Sequence, residues 1–86
     1  MTYLYVQHHY AVFGFGDSRQ AAIDMAARWL KDATGKQGCT PEYAESLLVT
    51  SPQPGQMTLY DCPETLPDNA ENWGGEELLD WYYDVC

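Results

Sequence analysis

The side chains of this 86-residue chain that could do chemistry fall into four groups. The densest is Glu76-Glu77 with Asp80 and Asp84. Paired carboxylates perform acid–base work when burial splits their pKa values, so that one holds its proton while the other is charged. An exposed helix face offers no such splitting, and these four are read as a solvated anionic face. Cys39, Cys62 and Cys86 are an odd number with no C-x-x-C and no zinc-ligand spacing, which predicts free thiols. His8 and His9 are neighbours; on a strand they would point to opposite faces and could not readily hold one ion together. Gly14-Phe15-Gly16 matches the opening of a dinucleotide-binding fingerprint, but Arg19 stands where the third glycine belongs and Asp17 would repel a pyrophosphate. The pair of glycines is therefore read as a tight turn. No local motif joins a nucleophile to a base. The expectation is a protein that is not an enzyme, with no cofactor and no metal.

Charge is the stronger signal. Four Lys and Arg against thirteen Asp and Glu give a formal net charge of −9. The four bases are Arg19, Arg28, Lys31 and Lys36, and every charged residue after Lys36 is an acid. Nucleic-acid binding is driven by basic side chains that displace counterions, so direct binding to DNA is excluded on charge. A strongly anionic surface has two uses: it keeps a small protein soluble, or it imitates polyphosphate and occupies a basic groove. At 45% hydrophobic and 14% aromatic residues the chain has the composition of a folded domain rather than an acidic tail. A single domain over residues 1–86 fits this length. No window is apolar enough to span a membrane, and Met1-Thr2-Tyr3 lacks the basic start of a signal peptide, so a cytoplasmic location is expected.

Five elements and a loop must position these residues. Thr2 to Phe15, rich in Tyr, Val and Phe, reads as one long bent strand or a hairpin turning near Gln7-His8-His9. Asp17 and Gln20 have capping-box spacing, and a helix over 18–34 would place Ala22, Ile23, Met25, Ala26, Trp29, Leu30 and Ala33 on one arc, with Gly35 ending it. Thr40-Pro41-Glu42 opens a short second helix, and Gln56 to Cys62 alternates as a strand. Two prolines, two asparagines and Gly74-Gly75 make 62–75 an irregular acidic loop. Glu76 to Cys86 reads as a helix with its four acids within about 100° of arc, and an extended strand is the alternative for Trp81-Tyr82-Tyr83. Carboxylates at i, i+4 and i+8 rise about 6 Å each, comparable with two phosphate steps of one DNA strand. Trp29, Trp73, Trp81, Tyr82 and Tyr83 are assigned mostly to the core; Trp73, within a polar loop, is equally placed to anchor a protein interface. The fold class is α+β, a small antiparallel sheet of two or three strands packed by two or three helices.

The segment Tyr10-Ala11-Val12-Phe13-Gly14-Phe15-Gly16-Asp17-Ser18, leading into Ala21 to Leu30 and followed by an all-acidic remainder, resembles short proteins of bacterial mobile elements and phages, closest in style to the anti-CRISPR proteins. The resemblance covers about a quarter of the chain and is a fold signature that carries over no functional residue. It implies an inhibitor that binds a CRISPR effector subunit and blocks target-DNA recognition, as acidic mimics of duplex DNA do. The charge pattern selects the partner-binding residues Glu64, Asp68, Glu71, Glu76, Glu77, Asp80 and Asp84, and Trp73 joins them as the aromatic anchor. The competing reading is a small accessory interaction module that binds through aromatics such as Trp73, its acids serving only solubility.

Overall fold

Leu4, Tyr5 and Val6 are consecutive and all fully buried, which a strand achieves only when both of its faces are covered. In the computed structural model, which describes all residues from Met1 to Cys86, these three form the middle of the sheet. Strands β1 (Thr2–Gln7), β2 (Ala11–Gly16) and β3 (Met57–Cys62) pair antiparallel in the order β2-β1-β3. Helices α1 (Arg19–Trp29) and α2 (Pro41–Ser46) cover one face, where Tyr5 packs among Ala22, Ile23, Ala26, Leu30 and Ala44. Helix α3 (Gly75–Val85) and a 3-10 helix at Asp68–Asn72 cover the other, where Leu4, Val6 and Val12 meet Ala70, Leu78 and Leu79. The fold is thus the expected α+β class, with three strands.

The β1–β2 hairpin turns through His8, His9 and Tyr10, with His9 in the left-handed region at φ 70°. The histidines lie in the turn rather than on a strand, so their rings sit 4.0 Å apart instead of on opposite faces. Past the turn, Tyr5 pairs with Gly14 and Val6 with Val12, which leaves Phe13 as the extra residue of a β-bulge. Gly14 faces α1 so closely that a Cβ there would strike the Ala22 carbonyl and the Ala26 amide nitrogen. Missing side chains on the strand and short ones on the helix let the two backbones meet.

Helix α1 is shorter than its hydrophobic period predicts. Ser18, not Asp17, is the N-cap: its hydroxyl accepts from the Ala21 amide, while Gln20 is committed to Asp24 within the helix. The helix stops at Leu30 instead of running to residue 34, because Asp32 offers the backbone a local alternative. Its Oδ1 accepts from the amides of Thr34 and Lys36 and from the Thr34 hydroxyl, folding the chain into a turn that bridges Lys31 to Gln37. The returning chain donates to the last helical carbonyls, Cys39 to Ala27 and Gly38 to Leu30. With the helix cut short, Ala33 is exposed; Trp29, still within the helix, is 61% exposed, and both lie outside the core that the sequence assigned them.

The Tyr5 hydroxyl donates to the Ala44 carbonyl at 2.6 Å and so fastens α2 to the sheet. Burial, then the neighbouring Cys39 and Tyr43, raises the Tyr5 pKa well above its ordinary value. Tyr60 is pushed up to about 12, chiefly by burial and then by Tyr83. Both phenols ionise more readily in the unfolded chain, near pH 10. Their contribution to stability is therefore complete below about pH 10 and is lost as pH rises toward the folded values. Urea midpoints should be level from about pH 7 to 9 and fall above about 10, and Tyr5→Phe should flatten the fall while costing about 1 kcal/mol at neutral pH. A wild-type midpoint unchanged up to about pH 12 would contradict the linkage.

Candidate functional site

The acidic face is built on α3. Gly74 precedes the helix as its N-cap, and the Glu77 carboxylate accepts from the Gly74 amide at 3.3 Å. Gly75 lets the helix start against β2, since a Cβ there would lie 2.6 Å from the Val12 carbonyl oxygen. Leu78 and Leu79 are buried, and Trp81 and Tyr82 are half-buried against the same core. Tyr82 stacks on Tyr60 with ring centres 4.7 Å apart. The helical reading of Glu76 to Cys86 is correct and the extended-strand alternative is not. Tyr83 is 54% exposed and does not belong to the core.

Covalent geometry reinforces the placement. Cys62 and Cys86 form a disulfide with Cα atoms 5.9 Å apart, so the expectation of three free thiols is corrected and Cys39 alone is free. Cys62 ends β3 on the face that α3 covers, and the chain returns to it when α3 ends. A pairing that depends on this return leaves no mark in local spacing. The closed loop carries all eight of the expected partner-binding residues, the seven acids from Glu64 to Asp84 and Trp73.

Glu76, Glu77, Asp80 and Asp84 are all exposed, as are Glu64, Asp68 and Glu71 on the approach to the helix. The stretch expected to be irregular folds at Asp68–Asn72 into a 3-10 helix that inserts Ala70 into the core, leaving Asp68 and Glu71 on its outside. Thr2 donates its hydroxyl to the Glu64 carbonyl and so ties this approach to β1. None of the seven acids has a cationic partner, because the molecule's one ion pair joins Arg19 to Glu45. Arg19 and Arg28 are on α1, and Lys31 and Lys36 are in the turn that follows it, across the sheet from α3. The sheet therefore separates a mixed-charge side from an anionic one.

That arrangement costs folding energy. Glu76 and Asp80, and Asp80 and Asp84, are like-charged neighbours at i,i+4, each pair destabilising by about 0.2–0.5 kcal/mol. Asp84 also lies in the last turn, where the helix dipole disfavours an anion and no base offsets it.

Trp73 is half-buried, packed on the core beside α3. Together with Glu77, Asp80, Trp81 and Asp84 it lines a cleft of about 300 Å³. Glu64, Asp68, Glu71 and Glu76 lie outside this cleft. Trp81 is the residue that the sequence reading missed, having been assigned to the core. Its helical spacing from Glu77, four residues earlier, was the available signal, while Trp73, lying before the helix, leaves no such signal.

Fold and site together describe a small α+β domain with a segregated anionic face that carries partly exposed tryptophans. No family model, curated protein or solved structure matches the chain. The functional reading accordingly rests on this surface.

Proposed function

We propose that the protein is a non-enzymatic inhibitor of a bacterial defence complex, of the anti-CRISPR type, that docks its acidic face in the basic DNA-recognising groove of an effector subunit and blocks target-DNA binding. The observation that carries this reading is the uncompensated carboxylate ladder of α3. Solubility needs net charge, not like charges stacked along one helix with every base on the far side of the sheet. A ladder whose rungs rise about 6 Å offers a basic groove a spacing near that of alternate phosphates. Long-range attraction would speed association, and salt would weaken it.

The test is a pull-down with the tagged protein from lysate of a bacterium that carries CRISPR effectors and restriction systems, at about 0.1 M and about 0.5 M salt. The expected result is a DNA-binding defence complex captured at low salt, lost at high salt and displaced by target DNA. A salt-insensitive partner with no DNA-binding role would overturn the mimic reading. It would favour instead the accessory interaction module, for which the half-buried Trp73 is the specific support.

A further inference from the structure

The cleft between Trp73 and Trp81 has a chemistry distinct from the rest of the acidic face. Here three carboxylates, Glu77, Asp80 and Asp84, share a shallow recess with two indoles, whereas the neighbouring recess that holds Trp29 and Trp73 has only Glu71. Both tryptophans are fixed, since each packs on the core formed by Leu78, Leu79 and Val12. A fixed indole presents its π face to a cation at little entropic cost. Carboxylates beside it supply the planar, bidentate acceptors that match a guanidinium better than an ammonium. With no base on this side of the sheet, none of the protein's own cations occupies the recess.

We propose that the Trp73–Trp81 cleft is an anchor pocket for an arginine side chain of the protein partner. The guanidinium stacks on indole and pairs with the carboxylates of Glu77, Asp80 and Asp84. The inference rests on the reading of the acidic face as the binding surface and assigns that face its centre. Long-range attraction then comes from the whole ladder, while orientation comes from one arginine seated between two aromatics, the arrangement in which binding energy concentrates.

The three tryptophans of the chain allow a test on the wild-type protein: Trp81 lines only this cleft, Trp29 lines only the neighbouring recess and Trp73 borders both, so the response of Trp81 against that of Trp29 tells the two apart. The indole N–H resonances are followed by ¹⁵N NMR during titration with a short arginine-bearing peptide, its lysine counterpart and its citrulline isostere, which keeps the shape and loses the charge. The indoles of Trp73 and Trp81 should move with the arginine peptide while Trp29 stays still. Binding should be about tenfold weaker for lysine. The citrulline peptide should move neither indole. Equal movement of all three tryptophans, or equal affinity for arginine and citrulline, would overturn the pocket. If the carboxyl resonances of Glu64, Asp68 and Glu76 respond to both cationic peptides while the indoles do not, the pocket fails and the acidic-face reading stands. If neither responds at about 0.05 M salt, both fail.

Discussion

Reversing Glu76, Asp80 and Asp84 to lysine together should abolish capture of a basic-groove partner while leaving the fold intact. The three side chains are exposed and make no hydrogen bond or ion pair that the fold needs. The substitution moves the formal net charge from −9 to −3, each reversal changing it by two. Like-charge spacing along the helix is the same for lysines as for acids, and lysine at position 84 suits the helix C-terminus as well as lysine at position 76 offends its N-terminus. Stability should therefore stay within about 0.5 kcal/mol of wild type. Affinity for a basic groove should fall by about a hundredfold or more at low salt, since three attractions become three repulsions. Competition binding at about 0.1 M salt, with circular dichroism as the control on folding, reads both quantities. Binding retained by the triple variant would remove the DNA-mimic mechanism, and a loss confined to Trp73→Ala would point to the accessory module.

What the sequence revealed, and what it hid, follows from the range of the interactions involved. Short-range signals were legible. Thr40 caps α2 through the Tyr43 amide with Pro41 in the first turn, and the alternation of Met57 to Cys62 became β3. Two errors came from competition that a helical period does not register. Asp32 captured the backbone that would have carried α1 to residue 34, leaving Ala33 in solvent, and Ser18 capped the helix where Asp17 and Gln20 had been paired. The hairpin expected near Gln7-His8-His9 did form, and its turn through His8, His9 and Tyr10 brings together the two histidines that a strand would have set on opposite faces. The acidic face itself was legible, because a helix fixes which residues share an arc. The cleft was not, because Trp73 precedes α3 and reaches Trp81 only through the way the Asp68–Asn72 turn packs Ala70 on the sheet.

The Cys62–Cys86 disulfide was hidden for the same reason, and its removal should have the largest effect on stability. It closes a loop with a sequence separation of 24, for which chain entropy predicts a stabilisation of about 3 kcal/mol. In a chain this small that figure is a large share of the total, equivalent to a melting temperature about 15 °C higher. Within the loop, the helix that bears the acids is held by Leu78, Leu79 and the Tyr60–Tyr82 stack at its middle and by the disulfide at its end. Reduction by a thiol such as dithiothreitol should free the last turn, where Asp84 completes the ladder. Thermal melts of oxidised protein, of reduced protein and of Cys86→Ser should therefore fall in two groups, with the latter two together. Thiol titration of the unfolded chains should find one reactive cysteine, Cys39, before reduction and three after it. Disulfides persist in oxidising surroundings and are rare in a reducing cytosol, so the same bond makes the rigidity of the acidic face depend on the redox state around it. Identical melting of oxidised and reduced protein would show that core packing alone holds α3, and the acidic face would then present the same surface in either state.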